Sequence, residues 1–358
     1  MNAVPATDNA HKEPFDLVAL EDYLRQHITG FSGPVTATRF KGGQSNPTYL
    51  LTTPTRQYVM RAKPGPVAQL LPSAHAVERE FAVMRGLYGT AVPVPQMHVL
   101  CEDESVIGRA FYIMEYLQGR VLWDQALPGM AMAERAAIYD EMNRVIAALH
   151  SVPFAERGLA GYGKPGNYFE RQIGRWSKQY KASVTQPIPE MDRLMPWLAA
   201  NIPASARDEG CVSIVHGDYR LDNLMFHPAD PRVIACLDGE LSTLGHPLAD
   251  FSYHGMAWNI PAGLFRGIGG LDLVSLGIPS EAEYVRWYGE ATGRDAAGHR
   301  DYYIAYNLFR MAAILHGVAQ RAADGNANAE DAFETGAKAA PLAELGWDRA
   351  QRYAAKRK

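Results

Sequence analysis

The stretch between residues 212 and 250 contains two short apolar runs, and each run ends in a polar motif. The first run ends in the tripeptide H-G-D, whose acid is Asp218, and Asn223 follows five residues later. The second run ends in D-G-E, which begins at Asp238. This pattern predicts a strand, a loop, a short hairpin and a second strand. Two carboxylates and one amide would then stand at loop ends, where side chains can converge on a ligand.

These residue types suit phosphoryl transfer. Magnesium prefers hard oxygen ligands, namely carboxylate, amide carbonyl, phosphate and water. Asn223 and Asp238 supply an amide oxygen and a carboxylate, so we expect them to hold the metal. Asp218 is then left to accept the proton of an attacking hydroxyl. The alternative interpretation is that all three are ordinary turn residues, which are common in loops.

The spacing H-G-D-x-x-x-x-N resembles the protein-kinase catalytic loop H-R-D-x-x-x-x-N, and D-G-E stands where kinases carry D-F-G. The motif is more similar to that of the aminoglycoside phosphotransferase and choline kinase superfamily, whose members carry H-G-D without the arginine. Within it, the chain looks most like phosphotransferase-family proteins related to the kinase-like domain fused to some acyl-CoA dehydrogenases. The resemblance extends from about Phe40 to Tyr253.

The resemblance implies an α+β, two-lobed, protein-kinase-like fold. Its N-terminal lobe, residues 1–116, would be an antiparallel sheet with one main helix, and its C-terminal lobe, residues 117–358, would be mainly helical. ATP would lie in the cleft between the lobes, and the γ-phosphoryl group would pass to a small-molecule hydroxyl. Whether Glu240, the last residue of D-G-E, also touches a metal or its waters is left open.

A glycine-rich turn joins two predicted strands, residues 35–40 and 48–52. Gly42 and Gly43 permit backbone N–H groups to approach phosphate oxygens closely, and Ser45 can add a hydroxyl donor. Hairpin turns of this kind are common in any protein. Members of the family that the chain resembles nevertheless have their phosphate-binding loop at this point, so the resemblance predicts that these three residues contact ATP.

The next predicted strand carries the expected phosphate-binding cation. Arg61 stands where kinases have a lysine, and Lys63 would share its strand face. Arginine holds phosphate in a bidentate fork and lysine as a point charge; Arg61 is favoured, and Lys63 remains an alternative. On the helix predicted over residues 73–88, the family pattern R-E-x-x-V/M indicates Glu80 as the ion-pair partner. Glu78 is the rival, because a helix turns these two acids to different faces.

The sequence M-E-Y-L-Q-G resembles the kinase hinge, whose main-chain groups bind adenine. By analogy, the carbonyl of Glu115 and the N–H of Leu117 would bind the base, and Met114 would line its pocket. The composition turns helical beyond this point. His150, at the end of one predicted helix, is expected to be a hydrogen-bonded core residue. Asp250 is expected to cap a helix N-terminus and, by resemblance, to brace the catalytic loop through backbone N–H groups.

Composition excludes several classes of function. A net charge of −4 over 358 residues leaves no electrostatic footprint for nucleic acid. Three widely spaced cysteines indicate neither a zinc site nor a disulfide framework. The N-terminus lacks the pattern of a signal peptide, and polar residues interrupt the most apolar segment, residues 303–318, so no membrane span is predicted. A cytoplasmic location, without membrane or nucleic-acid partners, is therefore expected.

The sequence thus predicts a kinase that uses ATP and Mg²⁺ to phosphorylate a small-molecule hydroxyl. A basic helix over residues 168–182, together with the resemblance, favours an anionic acceptor such as a hydroxyacyl-CoA. One rival function is a nucleotide-binding pseudokinase with a regulatory role, which the departure at Arg61 keeps open. The other is a metallo-hydrolase using His216, Asp218 and His246 as ligands, although a dinuclear site would want more such motifs. The sequence leaves open the acceptor, the choice between ATP and GTP, and the oligomeric state.

Overall fold

The computed structural model describes residues 15–40, 46–64, 76–183, 187–208, 211–323 and 329–357. In chain order, the strands of these residues are β1 Thr36–Arg39, β2 Thr48–Thr52, β3 Gln57–Ala62, β4 Met97–Cys101, β5 Phe111–Glu115, β6 Arg120–Val121, β7 Ser213–Val215, β8 Leu224–Phe226, β9 Val233–Cys236 and β10 Thr243–Gly245. The α-helices are α1 Leu17–His27, α2 Val77–Leu87, α3 Met132–His150, α4 Tyr168–Ser183, α5 Pro189–Ala200, α6 Pro247–Gly255, α7 Leu273–Leu276, α8 Glu281–Thr292, α9 Arg300–Ala323, α10 Ala329–Ala337 and α11 Ala339–Ala355.

The chain divides into two compact units. The first contains the residues up to Leu122 together with residues 152–162 and 221–242, and the second contains residues 123–151, 163–220 and those from Thr243 onward. The hairpin of β8 and β9 therefore belongs to the first unit. The lobe boundary predicted after residue 116 stays a prediction.

The first unit is built on a five-stranded antiparallel sheet with the order β1-β2-β3-β5-β4. Because successive side chains of a strand point to opposite faces, β3 contributes to two separate clusters. Tyr58 and Met60 pack in the cluster that includes α1, and Val59 packs in the cluster that includes Phe81 of α2. The same alternation puts Arg61 on the face that α2 covers.

Helix α2 meets the sheet through a stripe of buried residues. Val77, Phe81 and Met84 recur at helical spacing and are buried. Glu80 lies among them and is only 1 % exposed. An acid in this position needs a cation nearby, because an unpaired buried charge is costly.

A smaller antiparallel sheet with the order β6-β8-β9 completes the first unit. Leu224 of β8 faces Cys236 of β9, and the N–H of Leu237 donates to the carbonyl of Asn223 at 2.9 Å. The hairpin predicted from the sequence is therefore present. Its pairing brings Asn223 and Asp238 to the same end of the ladder.

The second unit is mainly helical and has a core rich in aromatic rings. Phe251 of α6 stacks on Tyr288 of α8 at 3.9 Å between centroids. A two-stranded antiparallel ladder, β7 with β10, pairs Ile214 with Leu244. Strand β7 leads into the H-G-D motif, and β10 leads into α6.

The expected cap at Asp250 is wrong. Helix α6 begins at Pro247, and His246 occupies the cap position. Proline is favoured at the first helical position because its missing N–H would be unpaired there anyway. Asp250 consequently falls in the first turn, fully inside a helix whose residues are all buried.

Across the described parts of the chain, no helix combines the length and the apolar character needed to cross a membrane.

Candidate active site

Arg61 is the centre of a buried cluster of acids in the first unit. Its Nη1 lies 3.2 Å from Oε1 of Glu80, and its Nη2 lies 3.0 Å from Oδ1 of Asp238 and 3.5 Å from Oε2 of Glu240. The Arg61 side chain is 14 % exposed, and that of Glu80 is 1 % exposed. One cation is thus shared by three carboxyl groups that come from helix α2 and from the D-G-E turn.

The charges in this cluster shift the pKa values of its members. Burial raises the pKa of Glu80 to about 7, and the Arg61 guanidinium opposes this rise only in part. Burial alone would lower the pKa of Arg61, but the surrounding negative charges, with Glu80 first among them, outweigh it and hold that pKa above its ordinary value. Arg61 therefore stays charged, whereas Glu80 changes its charge near neutral pH.

A second ion pair runs beside the first. Lys63 Nζ lies 3.0 Å from Oε2 of Glu78, and these side chains are 34 % and 38 % exposed. Each of the two candidate cations therefore pairs with one of the two candidate acids of helix α2: Arg61 pairs with Glu80, and Lys63 pairs with Glu78. Burial distinguishes them, because exposed pairs contribute little while the loss of one partner of a buried pair has large effects.

The D-G-E turn holds Asp238 in an uncommon backbone conformation. Asp238 has φ of 61° and ψ of 55°, which is the left-handed region that only a few non-glycine residues, aspartate among them, adopt readily. A Cβ on Gly239 would lie 3.3 Å from Cγ1 of Val83 on α2. The helix thus packs directly on the turn, and a side chain at position 239 would press against it.

Asn223 and Asp238 offer the donor set predicted for magnesium. Asn223 is 6 % exposed and ends a short 3₁₀ turn, Leu221–Asn223, whereas the Asp238 side chain is 34 % exposed. One carboxylate and one amide fit Mg²⁺, which commonly keeps several waters and takes one or two protein carboxylates beside substrate phosphates. The residues present therefore fit the predicted ion.

In the second unit, Asp218 is held by two neighbours that the sequence reasoning missed. The hydroxyl of Tyr253 donates to Oδ1 of Asp218 at 2.5 Å, and Nε of Arg220 lies 3.1 Å from Oδ2. The burial of Tyr253, followed by the nearby charge of Asp218, raises the pKa of the phenol, which therefore remains a donor. Arg220 stands two residues after Asp218 and could have been suspected, whereas nothing in the sequence singles out Tyr253.

The backbone that carries Asp218 is anchored by Asp250. Its carboxylate accepts hydrogen bonds from the N–H groups of His216 at 2.7 Å and Gly217 at 2.9 Å, which confirms the predicted brace. His150 Nε2 lies 3.1 Å from the same carboxylate, and its Nδ1 lies 2.7 Å from the hydroxyl of Tyr288. His150 is thus the hydrogen-bonded core residue that was expected.

The two pKa shifts of this buried pair assign its protonation. Burial lowers the pKa of His150. Burial alone would raise the pKa of Asp250, but the hydrogen bond from His150 and neighbouring groups bring it below its ordinary value. A neutral imidazole that donates through Nε2 to an ionised carboxylate satisfies both shifts, and Tyr288 then donates to Nδ1.

Arg310 of α9 also contacts the loop that contains H-G-D. Its Nη2 donates to the carbonyl of Gly217 at 2.6 Å. Its guanidinium also lies over the rings of Tyr253, at 5.0 Å, and Trp176, at 5.5 Å. The predicted basic helix thus contributes a buried Trp176 to the support of this loop.

Three hinge residues lie at the end of strand β5 or just beyond it. Met114 is 9 % exposed and belongs to the cluster on the α2 face. The N–H of Glu115 is already bonded to the carbonyl of Gln96 at 2.9 Å, and Leu117 follows the strand. The roles of these three in binding adenine stay predictions. Gly42, Gly43 and Ser45 lie outside the described residues.

The residues predicted as metal ligands of a metallo-hydrolase make other contacts in the structure. The ring of His246 packs on Phe169 and Tyr303, with centroids 5.2 and 5.5 Å away, and burial lowers its pKa to about 4. Among the residues that the structure describes, no group of three or more His, Cys, Asp or Glu side chains could hold a metal ion together.

A cavity in the second unit is lined by two residues that contact Asp218. Its volume is about 30 Å³, and its wall includes Tyr253 and Arg220, the two residues that bind the Asp218 carboxylate. Arg266 adds a second cationic side chain to the wall, and Met256 and Ile260 add apolar surface. The wall of the cavity therefore combines positive charge with apolar surface.

Strand β3 of the antiparallel sheet carries a buried arginine that pairs with a glutamate of helix α2. This pair, together with an H-G-D loop and a D-G-E loop, is typical of kinase-like phosphotransferases. Residues 36–298 match the phosphotransferase enzyme family, and the chain belongs to that family. The expected α+β, protein-kinase-like fold, with an antiparallel-sheet N-terminal lobe and a mainly helical C-terminal lobe, is confirmed.

In curated relatives, a sequence similar to this chain forms part of a longer chain. Acyl-CoA dehydrogenase family member 10 of Mus musculus is 44 % identical over 333 residues, which is 92 % of this chain and 31 % of the relative. Acyl-CoA dehydrogenase family member 11 of Rattus norvegicus is 41 % identical over 338 residues, which is 93 % of this chain and 43 % of the relative. The chain thus spans less than half the length of these relatives.

Solved structures share the fold. A protein of Ralstonia eutropha JMP134, provisionally named an aminoglycoside phosphotransferase, is 58 % identical with a TM-score of 0.88, covering 94 % of this chain and 99 % of that one. The aminoglycoside phosphotransferase APH(4)-Ia, in complex with AMP-PNP and hygromycin B, has a TM-score of 0.60 at 16 % identity, over 92 % of this chain and 98 % of that one. A microcompartment-associated aminopropanol kinase has a TM-score of 0.58 at 16 % identity, over 95 % and 98 % of the two chains.

Proposed function

We propose that this chain is a kinase that transfers the γ-phosphoryl group of ATP to a hydroxyl of a small, anionic acceptor. Bound with Mg²⁺, ATP supplies the phosphoryl group and the ion neutralises its charge. The residues of the chain then bind and orient phosphates, hold the ion, and position and deprotonate the acceptor hydroxyl.

The observation that carries the proposal is the cluster around Arg61. One guanidinium faces Glu80, Asp238 and Glu240, so the cluster has an excess of negative charge whether or not Glu80 holds a proton. Such an excess is a reason for a divalent cation to bind beside Asp238. Arg61 would hold a phosphate oxygen through its fork, and Glu80 would fix the position of its guanidinium.

Asp238 and Asn223 are the proposed magnesium ligands, because they supply one carboxylate and one amide oxygen at the same end of a hairpin. Glu240 already approaches Arg61 and is proposed to balance its charge rather than to hold the ion. The proposed adenine contacts are Met114, Glu115 and Leu117, and the proposed phosphate loop contains Gly42, Gly43 and Ser45.

Asp218 is the proposed general base. Tyr253 and Arg220 fix its carboxylate from two directions, and Asp250 fixes the backbone beneath it. Geometry that is set before the substrate arrives favours proton transfer from a hydroxyl placed within hydrogen-bond reach.

The acceptor proposed is anionic because Arg220 and Arg266 line the cavity beside the base. Hydroxyacyl-CoA esters and hydroxy acids are candidates, and the similarity to acyl-CoA dehydrogenase family members supports an acyl compound. A cationic aminoglycoside would meet unfavourable charge at these two arginines.

The test separates chemistry from binding. In Asp218→Asn, we expect Mg²⁺–ATP affinity to be nearly unchanged and turnover to fall about 10²–10⁴-fold, the usual worth of a positioned base. In Asp238→Ala, we expect both magnesium-dependent nucleotide affinity and turnover to fall. Calorimetric titration of ATP with and without Mg²⁺ measures the first quantity, and ATP consumption across a panel of hydroxy compounds measures the second.

Asp140→Asn, which changes an exposed acid of α3, is the matched control and should alter neither quantity. Equal loss of nucleotide affinity in the Asp218 and Asp238 variants would contradict the division of roles. Nucleotide binding without transfer to any compound would favour the regulatory pseudokinase instead. Loss of a tightly bound metal in Asp218→Asn would favour a metallo-hydrolase.

A further inference from the structure

A groove in the second unit is lined by residues that have no role in the phosphoryl transfer proposed above. Helices α8 and α11, the turn over residues 294–297 and the first turn of α9 supply its lining. Its volume is about 510 Å³, which suits a small organic ligand. All of the lining residues belong to one compact unit, so the groove is complete within that unit.

Positive charge predominates among the side chains that line this groove. Five of them are basic and three are acidic. The basic residues still outnumber the acidic ones when Glu290, the partner of Arg286, is included. The five basic residues are Arg286, Arg294, Arg300, Arg349 and Lys356. An anion in the groove would therefore meet a net positive charge, which favours its binding.

Two of these cations are held side by side on α11. Arg349 and Lys356 are seven residues apart, which places them two turns apart on one face of the helix. Arg349 Nη1 lies 3.1 Å from Oδ1 of Asp301, and Lys356 Nζ lies 2.7 Å from Oδ2 of the same residue. Burial alone would raise the pKa of Asp301, but the hydrogen bonds from these two residues bring it below its ordinary value. One ionised carboxylate thus serves two cations, which leaves an excess of positive charge at this end of the groove.

Two more cations are fixed by groups of the surrounding fold. Arg300 Nε lies 2.8 Å from Oε1 of Glu281, and the Arg300 side chain is only 12 % exposed. Arg294 Nη2 donates to the carbonyl of His150 at 3.0 Å. A side chain that is ordered before a ligand arrives loses less freedom on binding. Much of the positive charge in the groove is therefore already in place.

The groove also has an apolar strip on α8. Ala282, Val285 and Gly289 line the groove and recur at the spacing that places residues on one helical face. We call these three residues the α8 strip. Ala296, which is 4 % exposed, adds further apolar surface to the lining. Hydrocarbon or an aromatic ring that covers this surface is removed from water, which favours binding.

We propose that this groove binds a small organic anion, whose phosphate or carboxylate head contacts Arg349 and Lys356 and whose apolar body covers the α8 strip. Arginine binds either head group through its planar fork, and lysine adds a point charge. The groove shares no lining residue with the proposed nucleotide, metal and acceptor positions. The proposal therefore goes beyond the proposed function and does not rest on it.

The test measures the affinity of the full chain for 1-naphthyl phosphate by calorimetry, beside 1-naphthol and inorganic phosphate. The first probe has both parts of the proposed ligand, and each of the others has one. AMP-PNP and Mg²⁺ are present throughout, so that a nucleotide site is occupied. We expect 1-naphthyl phosphate to bind about 10-fold or more tightly than either other probe, because hydrogen bonds to charged groups and apolar burial both contribute.

Two variants locate the binding site. Arg349→Gln removes a cation, and Ala282→Glu adds a carboxylate to the α8 strip, in the first turn of a helix, where an acid is well tolerated. Each variant should weaken the binding of 1-naphthyl phosphate about 10-fold or more. Arg352→Gln is the matched control, because Arg352 is an exposed cation of the same helix that does not line the groove. Its affinity should remain that of the wild type.

Thermal unfolding followed by circular dichroism checks that each variant is folded. Ala282→Glu decides the question alone if the loss of Arg349 from the pair with Asp301 prevents folding. Undetectable binding of 1-naphthyl phosphate, equal affinity for the three probes, or wild-type affinity in a folded cavity variant would overturn the proposal. An equal effect of Arg352→Gln would also overturn it, because it would indicate a response to net charge alone. Phosphoryl transfer is not part of this measurement, so failure of the kinase proposal would leave its outcome unchanged.

Discussion

Replacing Glu80 by glutamine should change how stability depends on pH. Burial raises the pKa of Glu80 from an ordinary 4.5 to about 7, so the folded chain binds a proton at this carboxyl more tightly than the unfolded chain does. For a raised pKa, the stabilisation is complete below the unfolded value and is lost as the pH rises through the folded value. The wild type should therefore lose stability between about pH 4.5 and pH 7 relative to Glu80→Gln.

The size of this change follows from the gap between the two pKa values. Each pH unit of such a gap corresponds to ~1.4 kcal/mol, so the difference in the free energy of unfolding between wild type and Glu80→Gln should fall by about 3 kcal/mol across this range. Titrating groups that both proteins share contribute equally to the pH dependence of the two free energies of unfolding, so their contributions cancel in the difference. Urea denaturation of the two proteins at a series of pH values measures it.

Direct titration of Glu80 by carboxyl ¹³C NMR gives an independent reading, with an expected midpoint near pH 7. Glu78→Gln is the matched control, because the pair of Glu78 with Lys63 is much less buried than that of Glu80 with Arg61 and should be worth about 1 kcal/mol or less. A constant difference between wild type and Glu80→Gln at every pH would refute the reasoning. A difference that grows as the pH rises would mean that Arg61 outweighs burial.

Three other predictions follow from the same elements. Arg61→Ala should raise the apparent KM for ATP and lower kcat, with Lys63→Ala milder in steady-state assays; the opposite ranking would mean that the functional cation is wrongly assigned. Gly239→Ala should lower the free energy of unfolding by about 1 kcal/mol in denaturation experiments, because the new Cβ would press on Val83. This loss should be smaller in a protein that also carries Val83→Ala; an equal loss in both backgrounds would contradict the contact. Tyr253→Phe should lower kcat and leave the KM for ATP unchanged, because the hydroxyl that it removes donates to Asp218, the proposed base; a parallel change in that KM would argue against this role.

The strands and the main helices could be predicted because their apolar residues repeat with the period of the element. That reasoning located strand β3 and placed Glu80 on the neighbouring helix. It could not decide between Arg61–Glu80 and Lys63–Glu78, because strand and helix periodicity allowed both pairs. The structure distinguishes the pairs by burial, which depends on how helix α2 packs on the sheet.

Other features required contacts between distant parts of the chain. Tyr253 approaches Asp218 from a helix that begins 29 residues later in the sequence, at Pro247, and no local pattern marks a tyrosine as the partner of an acid. The misplaced cap at Asp250 had a local signal, since Pro247 is a favoured first helical residue.

The carboxylate of Asp250 has a consequence for hydrogen exchange. The amide protons of His216 and Gly217 are buried and bonded to a charged acceptor, so they should exchange with deuterated solvent only when the surrounding structure opens. Both amides and the carboxylate belong to the second unit. Their exchange rates would therefore report the opening free energy of that unit directly, residue by residue, while the amides of β3 report that of the first.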